Sequence, residues 1–186
     1  MTYTSISLHI LALIRRCFFM NKLKELWNKI KPYILPYSVA IAIPLTVGIV
    51  SAALTRENMD IYEKLNTPPL SPPSILFPIV WTILYVLMGI SSAMVYTNRD
   101  REPDAARRGL IYYAVSLVLN FLWSLIFFNM QAAFLALIVL GGLFYCIIRT
   151  IIDYRKVCPI AAYLQIPYAL WVAFAGYLNA GIWLLN

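Results

Sequence analysis

Apolar residues in this chain fall into five long blocks separated by short polar segments. The blocks cover about 33–54, 75–96, 109–128, 131–152 and 161–185. Each approaches or exceeds the roughly 20 apolar residues that a helix needs to cross the hydrocarbon core. Lipid cannot satisfy the N–H and C=O groups of an open sheet edge, and the alternation of a membrane barrel is missing. The pattern therefore predicts an all-α integral membrane protein, a five-transmembrane-helix bundle over residues 33–186. Residues 1–32 read as a basic N-terminal extension and interfacial segment. Within it, Ser5–Ile14 is too short to span, and Arg15 and Arg16 follow it without a small-residue cleavage site. Asn21–Lys31 is a basic amphipathic run carrying Trp27, suited to a membrane surface, and Met20 just before it reads as the better start.

Inside the blocks, Pro36 and Pro44 predict a kinked first span. The third and fourth spans are joined only through Phe128–Gln131, so they are expected to pair antiparallel. The longest connection, Thr55–Ser74, holds Arg56, Glu57, Asp60, Glu63 and Lys64, then Pro68, Pro69, Pro72 and Pro73. Those prolines stiffen it, as a lid or as a plain connector. Gly89 with Ala93, and Gly141–Gly142, permit close helix approach within the bundle or across a homodimer.

Composition agrees with a membrane chain: 186 residues are 62% hydrophobic with mean hydropathy +0.75. The net charge of +7 would suit nucleic acid, but its placement argues against that partner. Thirteen of the fifteen basic residues precede span one, lie between spans two and three, or flank the turn between spans four and five. Only Arg56 and Lys64 fall on the other side. The positive-inside rule thus predicts a multi-pass protein of the cell membrane with a cytoplasmic N-terminus and an extracytoplasmic C-terminus. Cys17, Cys146 and Cys158 are odd in number and lack a CxxC pair, so neither a disulfide framework nor a metal site is expected. His9 is the one histidine, and no nucleophile–base pairing or cofactor motif is present, which leaves ordinary catalysis without candidates.

Candidate chemistry lies instead in aromatic and amide side chains below the membrane surface. At about 1.5 Å per residue, Trp81, Trp123, Asn120 and Asn179 share a layer roughly 8–12 Å under the face opposite the basic loops. Helical spacing groups Phe77, Trp81, Tyr85 and Met88 on span two, and Ser116, Asn120, Trp123, Ser124 and Phe127 on span three. On span five it groups Pro167, Trp171, Phe174, Ala175, Leu178 and Asn179. An amide facing lipid is costly, so Asn120 and Asn179 are expected to point inward, either as helix–helix clasps or as pocket groups. Trp27 and Trp183 sit where anchoring belts lie. An uncharged pocket of this kind suits a large, flat, apolar ligand, with Arg56 and Lys64 near its rim.

Pro68-Pro69-Leu70-Ser71-Pro72-Pro73, then Phe77-Pro78-Ile79-Val80-Trp81-Thr82-Ile83-Leu84-Tyr85 with Met88-Gly89, resembles the signature of the TspO/MBR family. These are the tryptophan-rich sensory proteins related to the mitochondrial translocator protein. Leu119-Asn120-Phe121-Leu122-Trp123-Ser124 resembles the family's third-helix motif. Pro167-Tyr168, Trp171, Phe174-Ala175, Tyr177-Leu178-Asn179 and Ile182-Trp183 resemble its fifth. The resemblance implies a five-helix bundle, often a homodimer, that binds porphyrins such as protoporphyrin IX under the first loop. It implies ligand-binding roles for Trp81, Trp123, Trp171, Ala175 and Asn179, to which the stripes add Tyr85, Asn120 and Phe174. It also implies, for some members, light-dependent porphyrin degradation, here through Trp81 and Trp171. Two departures matter. Ile61 and Leu70 stand where relatives carry Trp, which weakens the degradation reading more than binding. Tyr177 is followed by Leu184 in place of a basic residue, which disfavours cholesterol. The expected function is a membrane receptor for tetrapyrroles that senses, sequesters or turns over its ligand. Photo-oxidative degradation is the alternative, and small-molecule transport is a third possibility that the absence of mid-membrane acids disfavours.

Overall fold

The computed structural model describes residues 3–58, Tyr62 and residues 65–186, with side chains from Lys24 onward and that of Lys22. Ile61, Lys64, Asp60 and Glu63 lie outside the described residues, as do the side chains of His9, Arg15, Arg16, Cys17 and Met20. Five long α-helices lie among the described residues: α1 (Tyr3–Thr55), α2 (Leu76–Thr97), α3 (Pro103–Ser124), α4 (Ala133–Val157) and α5 (Pro159–Leu185). Short 3₁₀ turns occupy Arg56–Asn58 and Arg99–Arg101, and a π-helical turn over Leu125–Asn129 continues α3. No strand occurs among the described residues. Among the described residues, five segments are long and apolar enough to cross a membrane: Lys24–Asn58, Leu76–Thr97, Pro103–Asn129, Ala133–Val157 and Pro159–Leu185.

The chain divides into two compact units, residues 1–36 and 37–186, and α1 contributes to both. In the first, nearly all described side chains are exposed, Leu26 and Trp27 included. The second holds the packed core, and its polarity is that of a bundle in lipid. Large apolar side chains such as Ile83, Val118, Ile138 and Leu170 face outward. Ser91, Ser116, Asn120, Thr150, Gln165 and Asn179 are buried. These polar groups are largely satisfied inside the bundle. Ser91 Oγ donates to the Ala161 carbonyl (2.8 Å), Gln165 Nε2 donates to Ser91 Oγ (3.2 Å), and Thr150 Oγ1 donates to the Cys146 carbonyl (2.9 Å). An unpaired group in this setting would cost about 1–3 kcal/mol.

Local sequence explains the helix ends. Pro103 and Pro159 begin α3 and α5, where a missing N–H is harmless. Cys158, extended at φ −152°, is the single residue between α4 and α5, so the two pack antiparallel. Gln131 takes a left-handed conformation (φ 54°) after the π turn, and the Met130 and Ala132 N–H groups cap the Leu125 and Ile126 carbonyls. α3 with α4 and α4 with α5 make the most extensive contacts, and α2 packs on α5. Gly89 is required where α1 and α2 cross, since a Cβ there would lie 2.5 Å from Ile41 Cα. Gly141, by contrast, has nothing within 4 Å and faces outward. At the basic end, Asp153 is buried and bridged by Arg108 (3.5 Å) and Lys156 (3.6 Å).

At the opposite end, the connection before α2 is fastened to α5. Asn66 N–H donates to Asn186 Oδ1 (3.0 Å), while Asn186 Nδ2 donates to the Asn66 carbonyl (3.0 Å). Tyr177 O–H donates to the Pro69 carbonyl (2.8 Å). Pro68 is buried so closely on Gly181 that a Cβ there would meet its ring at 2.5 Å. Leu70 turns the chain at φ 68° with its side chain exposed.

Candidate functional site

Two recesses meet behind this loop. The outer one, of about 210 Å³, lies between α1, α2 and α3. Trp81 and Tyr85, one helical turn apart on α2, stack at 5.5 Å with planes 28° apart, and Trp123 of α3 is 6.5 Å from Trp81. All three line the recess. Gly48 of α1 lets Tyr85 in, since a Cβ there would fall 2.2 Å from its ring. Asn120 does not line the recess; its Nδ2 donates to the Tyr85 hydroxyl (3.3 Å) from behind and fixes the ring. Ser51, Thr55, Thr82 and Ser124 add hydroxyls to the wall. The hydroxyls of Thr55, Thr82 and Ser124 donate to carbonyls one turn back, which leaves acceptor lone pairs free. Among the described residues, no charged side chain lines it.

The inner recess is nearly filled, at about 20 Å³, and is lined by Tyr62, Phe77, Trp123, Ala175 and Asn179 among others. Trp123, Phe77 and Phe128 border both recesses and so form the partition between them. Trp123 is held firmly. Its Nε1 donates to Asn179 Oδ1 (3.1 Å), Asn179 Nδ2 donates to the Ala133 carbonyl (2.7 Å), and its ring stacks on Phe127 at 5.6 Å. The π-helical turn that follows α3 contains Phe127 and Phe128, and such turns recur at functional sites.

Trp171 and Phe174 border neither recess. Trp171 meets Phe77 edge-on at 6.0 Å and Phe174 at 5.6 Å, and Phe174 stacks on Tyr177 at 6.2 Å, beneath the Pro69 carbonyl. These rings brace the loop from the α5 side. The Trp171 Nε1 and the Tyr62 hydroxyl are shielded without a hydrogen-bond partner among the described residues, beside Phe77. Arg56 is exposed at the end of α1. The α1 wall (Leu45, Gly48, Ser51 and Thr55) has no counterpart among the residues singled out in the sequence, although its small and hydroxyl residues recur at helical spacing.

Comparison with known proteins decides the kinship. The family model described as TspO/MBR matches residues 40–184, the whole of α2 to α4, nearly all of α5 and the second half of the first span. The chain belongs to the TspO/MBR family. It is 35% identical to the tryptophan-rich protein TspO of Chlorobaculum tepidum over 82% of this chain and 97% of that one. It is 34% identical to the translocator protein of Bos taurus over 76% of this chain and 84% of that one. It is 30% identical to the tryptophan-rich sensory protein of Cereibacter sphaeroides over 82% and 90% of the two chains. As a TspO/MBR protein with five spanning helices, it is a multi-pass membrane protein. Trp81, Trp123, Ala175 and Asn179 all fall within the matched region and around the two joined recesses.

Proposed function

We propose that this TspO/MBR protein is a membrane receptor for flat, largely apolar macrocycles of the porphyrin class, held beneath the connection between α1 and α2. The observation that carries the reading is the uncharged recess walled by Trp81, Tyr85 and Trp123. Two stacked rings and a third pinned by Asn179 offer aromatic faces whose geometry is set before a ligand arrives. Each well-placed ring contact adds roughly 0.5–1.5 kcal/mol beyond burial of area. The unused Tyr62 hydroxyl, which borders the inner recess, suits an acceptor group on the ligand's edge, such as a carboxylate, once the partition moves.

The recess of about 210 Å³ is smaller than the roughly 300–1,000 Å³ usual for ligand sites, so a macrocycle must widen it. Two routes of widening are available. Ile49, Ala52, Pro78 and Thr82 form an exposed edge between α1 and α2, and Trp123, Phe77 and Phe128 are the partition to the inner recess. In this reading Trp81, Tyr85 and Trp123 touch ligand directly. Ala175 and Asn179 touch it once the partition moves, Asn120 positions Tyr85, and Trp171 with Phe174 positions the loop. Residues 33–186 form the binding domain, the basic end faces the cytoplasm, and the loop side lies outside.

Titration of the purified protein with protoporphyrin IX, followed by tryptophan emission, tests the proposal. Saturable quenching is expected, and Trp81→Leu should weaken binding roughly tenfold through loss of a stacked face. Unchanged affinity in that variant overturns the assignment of the recess.

A further inference from the structure

A third recess lies beyond the inner one, between the start of α4 and the end of α5. It measures about 530 Å³ and is bordered by Leu65, Phe127, Gln131, Ala132, Phe134 and Trp183 among others. That volume falls in the roughly 300–1,000 Å³ range usual for ligand sites, which the outer recess does not reach. Among the described residues, no charged side chain lines it. Phe134 and Trp183 are exposed, with ring centroids 5.0 Å apart and planes 38° apart, and they offer aromatic faces to an occupant. Two separate links run from here to Trp123. Phe127 and Ile182 border both this recess and the inner one, and Phe127 stacks on Trp123 at 5.6 Å. Ala133, which also lines the third recess, accepts a hydrogen bond at its carbonyl from Asn179 Nδ2 (2.7 Å), and the same amide accepts from Trp123 Nε1 (3.1 Å).

We propose that this recess is a second site for a flat, apolar macrocycle, and that its occupancy antagonises binding beside Trp81. The ligand class rests on the reading given under Proposed function; the site and its coupling rest on the shared walls. A macrocycle wedged against Phe127 presses that ring onto Trp123, which also walls the outer recess. It therefore narrows the space that a macrocycle beside Trp81 has to widen. Coupling between two binding sites is reciprocal, so each ligand weakens the other by the same factor. Other occupants fit less well. An anionic headgroup meets no cation among the described lining residues, and an acyl chain leaves the paired faces of Phe134 and Trp183 without a flat partner.

Native mass spectrometry of the full chain in detergent, titrated with protoporphyrin IX, counts the sites, and tryptophan quenching gives their affinities. The wild type should hold two macrocycles, the second roughly tenfold more weakly than the first. Ala132→Trp, at a half-buried position that borders this recess and neither of the others, should hold one macrocycle at the wild type's first affinity. Trp183→Leu, at an exposed position, should weaken only the second macrocycle, by several-fold. Phe127→Leu should keep both macrocycles and lose their antagonism. One macrocycle in the saturated wild type, or two in Ala132→Trp, overturns the second site. Antagonism that survives in Phe127→Leu overturns the coupling. A retained phospholipid that Ala132→Trp expels, with no macrocycle lost, gives the recess to an acyl chain and overturns the occupant. Failure of the outer site reads differently: Trp81→Leu would then leave both affinities unchanged while Ala132→Trp still removed one macrocycle.

Discussion

Gly48→Ala is the sharpest probe of how the aromatic recess is built. The new methyl would lie 2.2 Å from Tyr85 Cε2, 2.8 Å from Cδ2 and 3.0 Å from Cζ. Tyr85 cannot swing away freely, because Trp81 stacks on one face and Asn120 holds its hydroxyl. Relief by moving the ring costs about 1–3 kcal/mol of overpacking, and loss of the Asn120 bond adds about 0.5–1.5 kcal/mol. Alanine's better helix propensity returns up to about 1 kcal/mol, leaving a net loss of about 1–3 kcal/mol. With Tyr85→Leu the obstacle is gone, and Gly48→Ala should then be neutral or mildly stabilising. Reversible unfolding in detergent micelles, followed by near-UV circular dichroism across the four proteins of this cycle, should therefore give a coupling of about 2 kcal/mol between the two positions. Porphyrin affinity should fall in Gly48→Ala as the ring is pushed into the recess. A cycle that adds without coupling would refute the proposed contact between α1 and Tyr85.

Other substitutions separate backbone contacts from side-chain contacts. Gly89→Ala places its Cβ 2.5 Å from Ile41 Cα and 2.8 Å from the Ala40 carbonyl oxygen, where no side chain can yield. It should cost more than Gly48→Ala, about 3 kcal/mol or more, while Gly141→Ala, with open space around it, should be neutral in the same melting assay. Asn179→Leu strips the acceptor from Trp123 and the donor from the Ala133 carbonyl, and should cost about 2–5 kcal/mol with a shift in tryptophan emission. Asn186→Ala removes the reciprocal amide pair with Asn66 at an exposed site, so stability should change by less than about 1 kcal/mol while limited proteolysis of the connection accelerates.

Helix number and spacing were legible in the sequence because lipid leaves a spanning backbone only one economical way to satisfy itself, and the apolar blocks record it. Counting residues from the helix ends places Trp81, Trp123, Asn120 and Asn179 in one layer; Trp81, Trp123 and Asn179 border the adjoining recesses, while Asn120 stands behind Tyr85. Which faces of the helices look at each other was harder to read. On α5 a single stripe was drawn through Pro167, Trp171, Phe174, Ala175, Leu178 and Asn179, yet only Ala175, Leu178 and Asn179 are buried; Pro167 is exposed, and the two aromatic residues turn toward the loop instead. Helical spacing at three and four residues covers a broad arc, and it cannot divide that arc between two neighbours. The α1 wall escaped notice for a different reason. Gly48, Ser51 and Thr55 have no distinctive chemistry, and their role arises from the close crossing of α1 and α2 at Gly89, a pairing distant in sequence.

The most direct measurement is the position of the ligand itself. A crystal or cryo-electron-microscopy structure of the protein saturated with protoporphyrin IX should show the macrocycle stacked about 3.5–4 Å from the Trp81 ring, between α1, α2 and α3, with Trp123 or Phe77 displaced toward the inner recess. A macrocycle seated on the lipid-facing surface, with Trp81, Tyr85 and Trp123 packed as they are in the free protein, would contradict it.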